Sequence, residues 1–389
     1  MALFPIAKHK AHSLTGRINQ PLLLAAFHTV KRNRGAAGID QVSLRLFEAH
    51  LADHLRVLER ELKDGSFLPL PLRRKFIPKE PGKVRPLGIP TVRDRVAQEV
   101  LRRLLHPIFE RQFHQASFGF RPGRNCHLAL AEVLRLHDEG LRVVLDADIQ
   151  GFFDNLPHAV IMQAVAAEVS DGNVLRLIEK FLRAGVLEDG VFKPTTVGTP
   201  QGGVISPLLA NIVLNLLDQR LAANGFRFVR YADDFVVLTR THAHAEEALA
   251  CVQRTLTELG LRLSPEKTRI TTYGKGYSFL GFVLSSRSRR MRPKSEQKFR
   301  EKVKELTCRS HNLDAALIVK LNQVIRGTAQ YFATRWFTAR GQLLRLDQWI
   351  RRRLRCQKFK RFSYEHNRRF RLKDFEQLGL LRLSSFCWS

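Results

Sequence analysis

The chain has 389 residues, with 65 Lys+Arg against 36 Asp+Glu and a formal charge of +29 at pH 7. At roughly 100–200 residues per domain this length holds two or three domains, and 44% hydrophobic residues with 26 Phe exclude a chain that is mostly disordered. No apolar run reaches the ~18–20 residues of a membrane span, and the start MALFPIAKHKAH lacks a signal peptide's apolar core.

Residues 1–66 read as mostly helical, because LRLFEAHLADHLRVLERELKDG repeats apolar residues every three to four positions and stops at Gly65. PLPLRRKFIPKEPGKVRPLGIP keeps alternating apolar positions among its Pro and Gly, which predicts a β-hairpin with its tip at Glu80-Pro81-Gly82-Lys83. Helical period returns over 93–111, LRVVLDADI (141–149) is a buried-strand candidate, and 158–184 is helical again. TPQGGVISPLLANIVLNLLDQRLAANG joins a glycine turn, a Ser206-Pro207 helix start and an apolar helix ending at Gly225. FRFVRYADDFVVLTR reads as two strands around a tight turn, 243–260 as a helix and YSFLGFVLSS as one further strand. This order of strand, helix, hairpin, helix and strand is an α+β pattern. Beyond residue 290 the chain reads as helices at 296–308, 313–333 and 340–359, then as a short, basic, poorly patterned tail. The five cysteines (Cys126, Cys251, Cys308, Cys356, Cys387) form no C-x-x-C pair, which argues against a disulfide framework or zinc site and fits a reducing compartment.

The charge is unevenly placed. Residues 1–286 hold 38 basic and 28 acidic residues, whereas 287–389 hold 27 basic and 8 acidic. Arg outnumbers Lys 46 to 19, which suits forked contacts to phosphate. A basic module of this kind points to a polyanion, most simply nucleic acid.

Against this background the acidic residues stand out. Tyr231-Ala232-Asp233-Asp234 lies between two strand-forming runs, and carboxylates there are costly to bury unless they pair or bind cation. In LDADIQGFFDNL, Asp146 and Asp148 share a strand face. If this strand end lies beside the YADD turn, three carboxylates converge on one hard-cation site. Asp148, Asp233 and Asp234 would then hold two Mg²⁺ ~3.5–4 Å apart, an arrangement that activates a 3′-hydroxyl and stabilises departing pyrophosphate. The residues alone do not choose between Asp146 and Asp148.

DADIQGFFDNL, TPQGGVISPLLANIVLNLLD and YADD, in this order, resemble the motifs of reverse transcriptases of the group II intron type. GAAGID (35–40), KFIPKEPGKVRPLGIPTVRDRVAQ (75–98), SFGFRPGRN (117–125), LSPEKTRI (263–270) and FLGF (279–282) resemble further fingers and palm motifs, and LNQVIRGTAQYF and LDQWIRRRLR the thumb or maturase region. The resemblance runs to about residue 360. It implies a right-hand polymerase, with fingers and an antiparallel palm over 1–286, a helical thumb or maturase domain over 287–360 and a basic tail over 361–389.

The resemblance also implies roles. Its D-I-x-G-x-F spacing makes Asp148 the first metal ligand, with the Ile149 carbonyl assisting and Asp233 and Asp234 completing the set for two Mg²⁺, Mn²⁺ substituting; Asp146 is then structural. Phe153 would pack beneath the incoming sugar and exclude a 2′-hydroxyl. Lys79 and Arg85, framing the hairpin tip, are candidate phosphate clamps, and Lys267 lies near the triphosphate as a candidate general acid. Gln201 and Gly202 line the nucleotide pocket and template. Arg121 is a candidate template contact or, equally, a structural salt bridge. Tyr231, Gly281 in a primer-grip hairpin, Arg326 and Arg351-Arg352-Arg353 are candidate nucleic-acid contacts, with Trp349 in the core.

The expected activity is RNA-directed DNA synthesis from dNTPs on an RNA template with a DNA primer, with structured group II intron RNA as a further partner, no membrane and a bacterial cytoplasmic setting. Two alternatives stay open: a maturase that only binds RNA, and a domesticated enzyme serving antiviral defence or repair. The intact Asp148, Asp233 and Asp234 set argues against the first. With no metal-spaced C-x-x-C pair, the endonuclease of longer members is not expected here.

Overall fold

The computed structural model describes residues 3–80, 83–199 and 202–388, without the side chains of Lys79, Glu80, Lys83 and Trp388. The chain divides into two units, 1–270 and 271–389. Amphipathic spacing builds the first helices: α1 (Gln20–Arg32), capped by Asn19, then α2 (Leu44–Ala49) and α3 (Leu51–Asp64). The face of α3 that carries Leu55, Leu58 and Leu62 is buried, and the helix stops where Gly65 turns left-handed, φ 78°.

Strands β1 (Leu72–Glu80) and β2 (Lys83–Ile89) form the expected antiparallel hairpin, with Ile77 opposite Arg85. Helix α4 (Val92–Phe109) starts from a Thr91 cap. Next come α5 (Cys126–Asp138), β3 (Val143–Asp148), α6 (Phe152–Asn155), α7 (His158–Ala166) and α8 (Gly172–Leu182), so the stretch 158–184 is two helices. A short hairpin, β4 (Val186–Glu188) and β5 (Val191–Lys193), extends the first sheet in the order β2-β1-β4-β5.

Helix α9 (Ser206–Ala223) has Pro207 in its first turn and is buried almost all round, the pattern of a helix inside a core. It packs on α7 and on α10 (His242–Glu258). Between α9 and α10 run β6 (Arg227–Tyr231) and β7 (Asp234–Thr239); with β3 and β8 (Arg269–Thr272) they make a second sheet, ordered β6-β7-β3-β8. Helices in both units and separate, mainly antiparallel sheets make the fold α+β.

The second unit opens with a three-stranded sheet, β9 (Tyr277–Phe279), β10 (Phe282–Leu284) and β11 (Arg289–Met291). YSFLGFVLSS is thus two strands rather than one. Leu280 (φ 46°) and Gly281 (φ 84°) are both left-handed, as a two-residue I′ hairpin requires. Helices α11 (Pro293–Leu306), α12 (Ala315–Phe332) and α13 (Arg340–Lys358) follow.

The tail departs most from expectation. It forms α14 (His366–Arg369), α15 (Leu372–Gln377) and a 3-10 turn at Leu383–Trp388 that packs on α12 and α13. The buried Asp347 carboxylate of α13 accepts the backbone N–H groups of Leu383 (2.7 Å) and Ser384 (3.0 Å). Asn322 accepts from the Leu381 N–H (2.9 Å) and donates to the Gly379 carbonyl (2.8 Å). Polar, one-off bonds of this kind leave no periodic trace in sequence, so the tail reads as unpatterned although it belongs to the second unit. The division itself lies at 270/271, ahead of the charge boundary at 286. No helix among the described residues is long and apolar enough to cross a membrane.

Candidate active site

The second sheet of the first unit aligns the acidic residues through its register. β3 pairs antiparallel with β7 from Val143↔Thr239 to Asp148↔Asp234, and β6 pairs with β7 so that Tyr231 also lies opposite Asp234. Residues aligned across strands share a face, so Tyr231, Asp234 and Asp148 form one row at the sheet's end, with Asp146 one pleat behind. The turn between β6 and β7 has two residues, Ala232 and Asp233, and Ala232 is left-handed at φ 59°.

A buried network holds that turn. Arg230 is 0% and Asp218 1% exposed. The Arg230 guanidinium donates to Asp218 (Nε, 2.7 Å), to Asn211 Oδ1 (2.9 Å) and to the Ala232 carbonyl (2.9 Å). Asn211 in turn donates to the Gly119 carbonyl at 2.8 Å. The FGF segment lies so close that a Cβ on Gly119 would sit 2.3 Å from the Ala232 nitrogen. Arg230, Asp218 and Asn211 carry no motif signature. Their one sequence trace is a charged residue inside an otherwise apolar strand or helix.

On the other side of β3, the bridge Ile149↔Leu263 is made by Gln150 donating to the Arg262 carbonyl (2.9 Å) and Ser264 to the Asp148 carbonyl (2.8 Å). The tight turn after Ser264 delivers Lys267, whose Nζ lies 2.9 Å from Asp148 Oδ2. Arg269 pairs with Asp146 at 3.4 Å. The hydrogen bond that Lys267 donates to Asp148, with the charges of Asp148, Asp234 and Asp233, raises Lys267 above the ordinary lysine value. Burial pushes Asp233 upward, reinforced by the Asp148 charge and opposed by Arg85 and Lys267. Burial likewise pushes Asp146 up to about 6, against the Arg269 charge.

Among the described residues no three acidic, histidine or cysteine side chains enclose a metal site by themselves. Like charges directly opposite on paired strands repel, and here the Lys267 ammonium stands beside Asp148.

Phe153 follows Gly151 on α6. It is half-buried, edge-to-face against buried Phe152 (5.2 Å, 73°), and lines a cavity of about 370 Å³ with Arg74 and Pro86 of the hairpin. A Cβ on Gly202 (φ 119°) would stand 2.2 Å from the Gly88 carbonyl, so only glycine fits where this segment meets β2. Gln98 of α4 fixes the same segment, accepting from Val204 N at 2.7 Å. The Lys79 side chain and Gln201 lie outside the described residues.

Two expected nucleic-acid contacts are engaged within the protein. Arg121 is buried, and its guanidinium donates to Glu110 (2.9 and 2.7 Å) and to the carbonyls of His114 and Ser117, so it takes the structural salt bridge weighed as its alternative. Arg353 donates to Thr307 Oγ1 (3.0 Å) and the Thr307 carbonyl (2.8 Å), capping the end of α11. Arg326 and Arg352 are exposed, while Arg351 is half-buried and lowered by that burial. In the second unit, the Gly281 carbonyl accepts from Arg292 N (3.0 Å) and Ser295 Oγ (3.2 Å). Trp349 lies half-buried beneath the Arg300 guanidinium, 4.7 Å from its ring centroid.

Comparison with known proteins decides the family. Residues 77–284, more than half of the chain, match the family model described as reverse transcriptase (RNA-dependent DNA polymerase). The chain belongs to the reverse transcriptase family. Residues 296–375 of this reverse transcriptase match the maturase-specific domain of group II introns, which makes it a reverse transcriptase/maturase of group II intron type. Protein YkfC of Escherichia coli (strain K12) is 37% identical over 315 residues, 70% of this chain and 83% of YkfC. Group II intron-encoded protein LtrA of Lactococcus lactis subsp. cremoris is 40% identical over 195 residues, 50% of this chain and 32% of LtrA, so the match spans about a third of LtrA. Retron Mx65 reverse transcriptase of Myxococcus xanthus is 28% identical over 257 residues, 62% of this chain and 58% of its own. The chain is an RNA-directed DNA polymerase, a class that uses divalent metal ions, and its partners are nucleic acids.

Proposed function

We propose that this enzyme copies RNA into cDNA by two-Mg²⁺ nucleotidyl transfer and also binds group II intron RNA to assist its splicing and mobility. The observation that carries the chemistry is the row Asp148–Asp234, with Asp233 beside it in the turn and the Lys267 ammonium at 2.9 Å from Asp148. The donor set suits a hard cation: carboxylates on adjoining strand ends, already drawing a positive group. Asp148, Asp233 and Asp234, with the Ile149 carbonyl, would hold the ions, and Mn²⁺ would substitute. When bound, two such ions activate the primer 3′-hydroxyl and stabilise the charge of the departing pyrophosphate.

The remaining roles belong to the chain. The primer 3′-oxygen attacks the α-phosphorus of a dNTP, the bond to the bridging oxygen breaks, and pyrophosphate leaves. Lys79 and Arg85 clamp the triphosphate from the hairpin, Gln201 and Gly202 line the pocket, and Lys267, released from Asp148, supplies a proton to pyrophosphate. Tyr231 meets the primer strand from the first unit; in the second unit Gly281, Arg326, Arg351 and Arg352 meet nucleic-acid backbone. The intron partner is supported by the maturase-specific match and by the name of LtrA, a group II intron-encoded protein.

Phe153 sets sugar selectivity in this reading. Phe153→Ala should raise ribonucleotide incorporation by at least about tenfold, the ~1–3 kcal/mol scale of discrimination by pocket shape; an unchanged dNTP/rNTP ratio removes the steric role. Lys267→Met should tighten Mn²⁺ binding about fivefold, the scale of an exposed ion pair worth up to ~1 kcal/mol. Calorimetric or EPR titration reads this directly, and equal or weaker affinity contradicts the ammonium's stand-in role. The intron-binding half is tested by splicing of the cognate intron RNA with and without protein, at limiting Mg²⁺. Acceleration supports it, and an unchanged rate with intact cDNA synthesis counts against it.

A further inference from the structure

We infer that the exposed aromatic pair Phe362 and Tyr364, after α13, is a stacking platform for unpaired nucleotides. The segment KFKRFSYEHNRRF (358–370) carries four Phe or Tyr rings at 359, 362, 364 and 370, and the fold divides them. Phe359 stacks on buried His366 (4.2 Å, 24°), and buried Phe370 meets buried Phe375 edge-to-face at 4.6 Å. Cations close these contacts from outside: Arg369 lies 5.2 Å from the Phe359 ring centroid and Lys358 4.2 Å from that of Phe370. Arg355 Nε donates to the Phe370 carbonyl at 2.8 Å. The base of the loop is therefore anchored.

Phe362 and Tyr364 lie on the solvent side of that base. They are 48% and 73% exposed, and their rings meet each other edge-to-face at 5.1 Å and 76°. Two large rings held in water against each other are a costly arrangement unless something covers them. The charge around them says what. Arg361 and Arg368 are exposed and make no ion pair among the described residues, and Glu365 is the single acid between 358 and 370. An acidic protein would match the arginines and leave the rings unmatched. A nucleic acid strand supplies a phosphate beside every flat base, and base–aromatic stacking accepts any base because each has a π-face. In a duplex those faces are already stacked, so the chemistry selects unpaired nucleotides, from either an RNA loop or a displaced DNA strand.

The inference rests on the nucleic-acid reading of the second unit and specifies the form of strand that it takes. The test uses the full chain, fluorescence anisotropy and three probes: an unstructured oligo-uridylate, the matching oligo-thymidylate and a blunt RNA duplex. Phe362→Ala/Tyr364→Ala should weaken single-strand binding by about tenfold or more, from the stacking of one or two bases, with duplex affinity changed less than about twofold. The strand showing the loss identifies the source of the ligand. Phe362→Trp/Tyr364→Trp keeps the stacking faces and should retain single-strand affinity, which separates loss of rings from loss of folding. Equal losses on duplex and single strand, no loss at all, or failure of the Trp pair to bind would each overturn the platform. Absence of wild-type binding to every probe would overturn the underlying nucleic-acid reading, and the platform with it.

Discussion

Asp233→Asn should reduce Mg²⁺-dependent cDNA synthesis on a primed RNA by about a thousandfold or more, while RNA affinity stays within about twofold of wild type. Asn keeps the shape of the side chain and its place in the turn, so the change removes one negative charge and little else. A metal clamp contributes several kcal/mol of charge stabilisation, and a thousandfold corresponds to ~4 kcal/mol. The retained RNA affinity follows from where the charge lies: residues 271–389 hold 28 basic and 8 acidic residues, far from balance. Losing one carboxylate cannot weaken that electrostatic grip. Substantial residual synthesis by the variant would sink the assignment of Asp233 as a metal ligand.

The second large effect lies beneath the site. Asp218→Ala should destabilise the first unit by ~3–5 kcal/mol, because it strands the buried Arg230 guanidinium without its carboxylate. For a unit of this size that corresponds to a fall in melting temperature of about 10 °C or more. The paired variant Arg230→Met/Asp218→Leu distinguishes stability from positioning. An apolar pair of similar volume often restores or exceeds the stability of a buried ion pair, so melting should recover. Synthesis should not recover, because the Ala232 carbonyl loses the donor that Arg230 supplies at 2.9 Å. Calorimetric melting alongside primer extension reads both quantities. Full recovery of synthesis in the paired variant would show that Arg230 holds the fold without positioning the carboxylate turn.

What could be read from the sequence divides along physical lines. The hairpin at 72–89, the central helix α9 and the strand pair around YADD were legible because each has its own period: alternation for strands, three-to-four spacing for helices. The proximity of Asp148 to the YADD turn was legible only through the order of motifs. No local signal says that β3 pairs with β7 in the register that sets Asp148 opposite Asp234. The Arg230–Asp218–Asn211 network was missed because one buried charge in a strand looks like any other arginine until its partner, on another element, is known. Arg121 and Arg353 show the reverse case. Both sit in basic stretches that suggest phosphate, yet each guanidinium is engaged with the protein itself. The tail at 361–389 looked unpatterned since its attachment depends on Asp347 and Asn322 holding backbone groups, which leaves no repeat to detect.

The central claim, that the carboxylates at the end of β3 and β7 form an RNA-copying polymerase centre, is tested most directly by primer extension on an RNA template with a labelled DNA primer. The wild-type chain should extend the primer with dNTPs to the template end in Mg²⁺, stop on chelation, resume when Mg²⁺ is restored, and extend poorly with rNTPs. No extension of a bound primer–template in Mg²⁺ or Mn²⁺, or extension that survives chelation, would contradict it.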